Sequence, residues 1–232
     1  MSLADDLKAE VKRIFHDEQW TTRDGDVVPE SDDLKLTNDA VNLDAAVLYA
    51  DLCASTALVD GSKAHFAAEI YKAYLHCAAK IIRSEGGTIS AYDGDRVMAV
   101  FIGDSRNTSA ARTGLKINWA VKNIVNPALK EQYPKTTYEV RQTVGIDAGK
   151  LFVTRTGIRG SNDLVWVGRA ANYAAKLTAL SPDCPTRITG DVYKILHESL
   201  KTSEGKSMWE ARTWTDMNNL LIYRSTWSWR ID

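Results

Sequence analysis

Cysteine is scarce in this 232-residue chain: Cys53, Cys77 and Cys184 are all there is. Their number is odd, their spacings are wide and no C-x-x-C occurs, which argues against a disulfide scaffold and against a zinc site. Neither sign of charge is in excess, with 29 Lys and Arg against 30 Asp and Glu. No bulk field is therefore available to hold nucleic acid or anionic lipid. No apolar run reaches the roughly 18 residues of a membrane span. The N-terminal MSLADDLKAEVKRIF is charged throughout and lacks a signal peptide's apolar segment. These absences place the expected activity in the cytoplasm, with no membrane or nucleic-acid partner. What is present is an ordinary globular balance, 44% hydrophobic and 25% charged residues, enough for one large domain or one domain plus a small appendage.

Apolar spacing of Leu3, Leu7, Val11 and Phe15 predicts a short amphipathic helix over residues 3–16. Residues 17–42 are polar and read as a lead-in loop, so the expected division is a lead-in at 1–42 and one domain at 43–232. The apolar run at 45–51 (AAVLYAD) reads as a buried strand ending in a carboxylate. A long helix follows over 62–84, stopped by Gly86-Gly87. TISAYDGDRVMAVF reads as a hairpin, because Asp-Gly is a strong tight-turn dipeptide. A helix is expected over 106–125, strands over 138–147 and 151–154, a loop over 156–162, a strand over 164–167 and a helix over 169–180 stopped by Pro182. Shorter elements are expected at 191–196, 209–214 and 220–227. This order gives an α+β sheet layered with helices.

Two carboxylates carry the chemistry. Asp51 ends the first strand and Asp95 lies at the hairpin turn; a strand end beside a turn brings both to one sheet edge. Such a pair repels unless a divalent cation lies between, and Mg²⁺ favours a few carboxylates, waters and substrate phosphates. Between Asp51 and the long helix, the small residues Cys53-Ala54-Ser55-Thr56 turn backbone N–H groups outward as a phosphate cradle. Read one at a time, Asp51 and Ser55 are helix caps and Asp95 a turn residue; the combination is what points to a site. Further on, WVGRAANYAAKLTAL opens a helix at Gly168 that sets Asn172 and Lys176 four apart on one face. An amide and a cation projecting together suit charge stabilisation on a phosphoryl group, while a solvated pair is the plainer reading.

Taken in order, AVLYADLCAST, EGGTISAYDGDRVMAVFIGD, VGIDAGKLFV and WVGRAANYAAKL resemble the class III nucleotidyl cyclase domain over roughly residues 43–180. The resemblance implies a mixed, mostly antiparallel sheet with a ferredoxin-like core, covered by helices, acting as a head-to-tail homodimer with shared active sites. By position it implies Asp51, Asp95 and the Leu52 carbonyl as ligands of two Mg²⁺ or Mn²⁺ ions, Cys53–Thr56 as the triphosphate loop, and Asn172 as the transition-state asparagine. The family's arginine four residues later is Lys176 here, which keeps the charge but loses the planar fork. Arg212 stands in for the family's late triphosphate lysine. The implied reaction is attack of the ribose 3′-hydroxyl on the α-phosphate, giving a 3′,5′-cyclic nucleotide and pyrophosphate.

Family purine cyclases read the base with side chains at the positions held here by Ala91 and Val165, neither of which can hydrogen-bond through its side chain. Tyr49 shares a strand face with Asp51, and Asp93 and Arg96 flank the turn; an aromatic and a guanidinium can fill and read a pocket around a smaller base. As plain structure, Tyr49 is a sheet aromatic and Arg96 a hairpin charge. This pattern is similar to the pyrimidine cyclases of Pycsar antiphage systems, and implies UTP as the favoured nucleoside triphosphate, cUMP as product and a separate cyclic-nucleotide-sensing effector. Alternatives are a purine cyclase with unusual base recognition, an inactive nucleotide-binding module of the same fold, and a diguanylate-cyclase or polymerase-palm relative. For the last of these, Gly86-Gly87-Thr88 lacks the acidic pair that the diguanylate family carries. Trp209, Trp214, Trp227 and Trp229 are expected to pack rather than bind.

Overall fold

The computed structural model describes residues 2–231. Its principal elements are α1 (Leu3–Lys12), β1 (Thr21–Asp24), β2 (Asp39–Leu52), α2 (Ser55–Gly61), α3 (Ala64–Ser84), β3 (Thr88–Asp93), β4 (Arg96–Phe101), α4 (Arg106–Ala120), α5 (Asn126–Gln132), β5 (Gln142–Ile158), β6 (Ser161–Val167), α6 (Arg169–Thr178), β7 (Thr186–Thr189), α7 (Gly190–Ile195), β8 (Thr202–Ser203), β9 (Lys206–Ser207), β10 (Glu210–Trp214) and β11 (Leu220–Ser225). The described residues group into two units, 2–44 with 150–168 and 45–149 with 169–231. None of their helices is long and apolar enough to cross a membrane.

In the first unit, α1 starts on a reciprocal cap between Ser2 and Asp5 and continues into a π-helical turn, Arg13–Asp17. The helix expected over 3–16 is there, yet α1 buries none of its residues, and Leu3, Leu7, Val11 and Phe15 are all exposed. Residues 17–42 are not a simple loop. β1 pairs in parallel with the start of β2, Thr21 opposite Asp39 through Asp24 opposite Asn42. β2 therefore begins at Asp39, earlier than the apolar run suggests, with Ala40, Val41 and Leu43 buried. The Asp39 carboxylate that reads as loop chemistry accepts from Arg23 at 2.8 Å and from the Lys35 N–H at 3.0 Å. The expected loop at 156–162 is the end of a hairpin, Phe152 opposite Val167 through Ile158 opposite Ser161. Only Arg159-Gly160 turns, with Gly160 at φ +83°.

In the second unit the strand order is β10-β11-β7-β5-β2-β4-β3. β4 is antiparallel to both β2 and β3, β7 is parallel to β5, and β11 is antiparallel to β7 and β10. The strands expected at 138–147 and 151–154 prove to be one, β5, running straight through Ala148-Gly149-Lys150. It starts only at Gln142, because Val140 is engaged by the Asn126 side chain, donating to its Oδ1 at 2.8 Å and accepting from its Nδ2 at 3.0 Å. The central strand β7 has no counterpart in the sequence reading. It is four residues long, follows Pro185 and contains Arg187, whose buried guanidinium donates to the carbonyls of Cys184 and Ser181 and to Asp183.

One sheet face carries the main core. Ala46, Leu48, Ala50 and Leu52 of β2 and Val97, Ala99 and Phe101 of β4 pack with Ile70, Tyr74 and Ile81 of α3 and Leu115 and Ile117 of α4. Gly87 closes α3 against this core with no room for a Cβ, which would stand 2.6 Å from the Phe101 ring. Strand alternation then turns Tyr49 and Asp51 to the opposite face. That face also carries α6, whose Leu177 clusters with Trp214 and Ile222. Trp209 is buried in the main core and Trp227 and Trp229 pack against it, the packing role expected of them. The architecture is the expected α+β one, a mixed and mostly antiparallel sheet layered with helices.

Candidate active site

The sheet register assembles the acidic centre. Asp51, one residue from the end of β2, is the Cα partner of Arg96 on β4, and Asp93 on β3 is also paired with Arg96. Gly94, at φ +60°, and Asp95 make the two-residue turn between them. The hairpin therefore delivers Asp93, Asp95 and Arg96 to the end of the strand that carries Asp51. Burial, and then the Asp95 carboxylate, push the Asp51 carboxyl up to about 6, against the opposing pull of Arg96 and of the Leu52 N–H that it accepts. Asp95 keeps one carboxylate oxygen, Oδ2, buried with no hydrogen-bond partner among the described residues.

That orphaned oxygen is informative, because a buried carboxylate oxygen without a donor costs on the order of 1–3 kcal/mol. No group of three or more His, Cys, Asp or Glu side chains converges as a metal cage among the described residues. Two carboxylates and a neighbouring backbone carbonyl, that of Leu52, are instead a hard-oxygen donor set. Such a set suits a cation that keeps waters and shares substrate phosphates. The donors present fit Mg²⁺ or Mn²⁺.

Beside the carboxylates, the Tyr49 ring lies under the Arg96 guanidinium, 5.4 Å from ring centroid to Cζ, a cation–π distance. Arg96 Nη2 also donates to Asp93 at 2.7 Å. Burial raises the Tyr49 phenol above its ordinary range, with Arg96 opposing. The loop after Asp51 is pinned by the Cys53 N–H donating to the Arg141 carbonyl at 2.9 Å. Ala54 then takes a left-handed conformation, φ 57°, and α2 begins without a side-chain cap. A helix thus intervenes between the loop and α3 that the sequence reading did not include. Ala91 lies on β3, opposite Met98 and next to a bulge at Ser90.

The remaining expected residues are placed elsewhere. Asn172 and Lys176 are both exposed on one face of α6, and the Lys176 ammonium reaches Met217 Sδ at 3.8 Å. Strand β5 stands between β2 and β7 in the sheet order, and among the described residues no hydrogen bond, ion pair or charge interaction joins Asn172 or Lys176 to the carboxylates. Arg212, on edge strand β10, pairs with Glu210. It lies four strands from β2, about 19 Å at ordinary strand spacing. Val165 lies on β6 in the first unit and is 38% exposed. The structure therefore gathers Tyr49, Asp51, Asp93, Asp95 and Arg96 and leaves Asn172, Lys176 and Arg212 outside that cluster.

One network escaped the sequence reading. Asp147 on β5 is wholly buried and accepts from Thr189 at 2.6 Å and from Arg169 Nε at 3.1 Å. Burial raises its carboxyl despite Thr189 and Arg169. In the sequence, a carboxylate in VGIDAG and an arginine after Gly168 are 22 residues apart and carry no spacing signal; only the packing of α6 on the sheet joins them.

No protein-family model matches the chain. It is 55% identical over 233 residues to a uridylate cyclase of Xanthomonas perforans and 53% identical over 233 residues to a uridylate cyclase of Burkholderia cepacia, the whole of both chains being covered in each case. Among solved structures, the adenylyl cyclase CyaB from P. aeruginosa superposes with a TM-score of 0.65 at 20% identity, over 82% of this chain and 97% of that one. A strand-end carboxylate facing a hairpin carboxylate, the shared fold and the full-length kinship together lead to one assignment: the chain belongs to the nucleotidyl cyclase family, with the class III cyclase fold.

Proposed function

We propose that the chain converts UTP to 3′,5′-cyclic UMP and pyrophosphate in the cytoplasm, with residues 43–232 as catalytic domain and 1–42 as lead-in, and works as a homodimer. The product would act as a second messenger in bacterial antiphage defence, read by a separate cyclic-nucleotide-sensing effector.

The observation that carries the substrate is the Tyr49–Arg96 pair beside Asp51, on a chain akin along its full length to proteins named uridylate cyclases. Tyr49 offers a face on which a pyrimidine stacks. Arg96 is a pure donor and suits the uracil carbonyls. Ala91 offers no side-chain hydrogen bond to a purine edge, and a site lacking such a group has little means of selecting adenine or guanine. Two divalent cations, held by Asp51, Asp95 and the Leu52 carbonyl, would supply activation of the 3′-hydroxyl and neutralisation of the triphosphate. The Cys53 N–H is taken by the Arg141 carbonyl, so of the loop Cys53–Thr56 the backbone of Ala54–Thr56 is left to offer N–H groups to the phosphates. Asn172 and Lys176, exposed on α6 and away from the carboxylates of their own chain, serve the site of a second copy, orienting the ribose and stabilising charge at the α-phosphate.

Incubation with each of the four nucleoside triphosphates and Mn²⁺, followed by mass spectrometry, tests the reading. Cyclic UMP is the expected dominant product. Dominant cAMP or cGMP would replace it with a purine cyclase, and no cyclic product from any triphosphate would favour a binding module.

A further inference from the structure

The face of β5 that meets α6 presents residues 143, 145 and 147 in alternation, and each of the three engages the helix differently. Thr143 Oγ1 donates to the Thr178 carbonyl, at the last residue of the helix, at 2.8 Å. Gly145 leaves bare backbone under its middle: a Cβ there would stand 2.2 Å from the Ala174 carbonyl oxygen and 2.7 Å from Leu177 Cβ. Asp147 takes the first residue, Arg169, through Nε at 3.1 Å and Nη2 at 3.3 Å. The same guanidinium also donates to Asp191 on α7 at 2.7 Å and lies 5.3 Å from the Tyr173 ring centroid.

Arg169 is the wrong charge for its place. A cation in the first turn opposes the helix dipole, and Asp147 is a fully buried carboxylate, which is costly without a paired cation. Each cost is offset by the other partner, and the result is a helix bolted to β5 and α7 at its N-terminal end. Asn172 and Lys176 stand one and two turns beyond this bolt, on the exposed face.

We infer that Arg169 and Asp147 form a positioning pair that fixes the rotation of α6 and so aims Asn172 and Lys176 at the reacting nucleotide. Neither residue touches substrate. The inference rests on the proposed role of Asn172, and the experiment separates the two.

Steady-state kinetics with UTP and Mn²⁺ are measured for Arg169→Met, Arg169→Lys, Asp147→Asn, Asn172→Ala and the Arg169→Met/Asn172→Ala double variant, with thermal melts of each. Arg169→Met is expected to lower kcat about 10- to 100-fold with KM for UTP changed less than about twofold, the signature of misaimed rather than lost binding. Arg169→Lys should recover part of that loss. The double variant should be no slower than Asn172→Ala alone, because Arg169 acts through that side chain. Full kcat in Arg169→Met beside a collapsed Asn172→Ala would overturn the pair, as would losses that multiply in the double variant. If Arg169→Met does not fold, the isosteric Asp147→Asn, which still accepts from Thr189, decides: a kcat fall of similar size supports the inference and an unchanged kcat overturns it. Unimpaired turnover in Asn172→Ala would remove the role assigned to Asn172, a result read independently of Arg169.

Discussion

A carboxylate at the end of an apolar strand, half-buried and facing a second carboxylate, destabilises the fold that holds it. Asp51 has its pKa raised from 3.8 to about 6. The folded chain therefore binds a proton there more readily than the unfolded chain, so stability falls as pH rises from 3.8 to 6, and the penalty is complete above about 6. Two pH units correspond to on the order of 2–3 kcal/mol, less what solvent screening removes at a half-buried site. In chelator-treated protein, Asp51→Asn should thus melt a few degrees above the parent at pH 8, and the gain should shrink towards zero by pH 4, read by circular dichroism at both pH values. The same variant should lose turnover. A melting point unchanged at pH 8 would mean that neither burial nor the Asp95 charge burdens the Asp51 carboxylate. The orphaned Oδ2 of Asp95 belongs to the same account: the centre is under-satisfied as protein alone, and a cation bound there would offset that cost.

Arg96 has a different economy. It is tied to Asp93 at 2.7 Å, an exposed partner, and lies over Tyr49, so it can turn to a substrate carbonyl at the loss of one surface ion pair. Arg96→Met preserves volume and removes every donor. Its kcat/KM for UTP should fall roughly 10- to 100-fold, with a smaller change in any residual activity on purine triphosphates, because a lost hydrogen bond to the base acts on the substrate that offers its acceptor. Equal losses on all four triphosphates would assign Arg96 to the fold rather than to the base.

At the scale of elements, what the sequence made legible follows from local chemistry. Asp93-Gly94 marked the hairpin, although the turn itself falls on Gly94-Asp95 and Asp93 is the last residue of β3; the all-apolar run marked β2, and the period of Ile70, Tyr74, Ile81 and Ile82 marked α3; each signal lies within a few residues of what it specifies. The misreadings share the opposite property. Asp39 looked like a loop residue until Arg23 paired with it, and Arg187 hid a central strand because its charge is satisfied by the carbonyls of the 181–184 segment. Asp51 and Asp95, 44 residues apart, could be paired because each sits at the end of an element with its own local signal, an apolar strand and a hairpin turn, whereas the Asp147–Arg169 bolt is created by packing alone. Gly145 shows how tight that packing is. With a Cβ falling 2.2 Å from the Ala174 carbonyl oxygen, Gly145→Ala must lift α6 off the sheet, at about 1–3 kcal/mol, and turnover should fall further than Tm suggests. By contrast α1 buries nothing. Deleting residues 2–12 should change stability by less than about 1 kcal/mol in urea denaturation, and a larger loss would show that its exposed apolar residues find a partner in solution.

For the whole molecule the question is how many chains complete one site. In a single chain the carboxylates lie at β2 and the β3–β4 turn, while the exposed amide and cation of α6 lie across β5 from them. If two copies pair head to tail about a two-fold axis, the symmetry that brings one chain's Asn172 to its neighbour's Asp51 also does the reverse, and two sites form. Mixing then has an arithmetic. Asp51→Asn supplies a good α6 and a dead carboxylate; Asn172→Ala supplies the reverse. A heterodimer of the two holds one site with both defects and one with neither. Random exchange of equal amounts makes about half the dimers heterodimers, each with one of its two sites intact, so about a quarter of the parental turnover per chain should return. A site built within one chain predicts no gain, since each copy keeps its own defect. Rates that stay at the level of the inactive parents, with exchange verified by native mass spectrometry, would therefore assign the whole site to one chain, and the distance between α6 and the carboxylates would need another explanation.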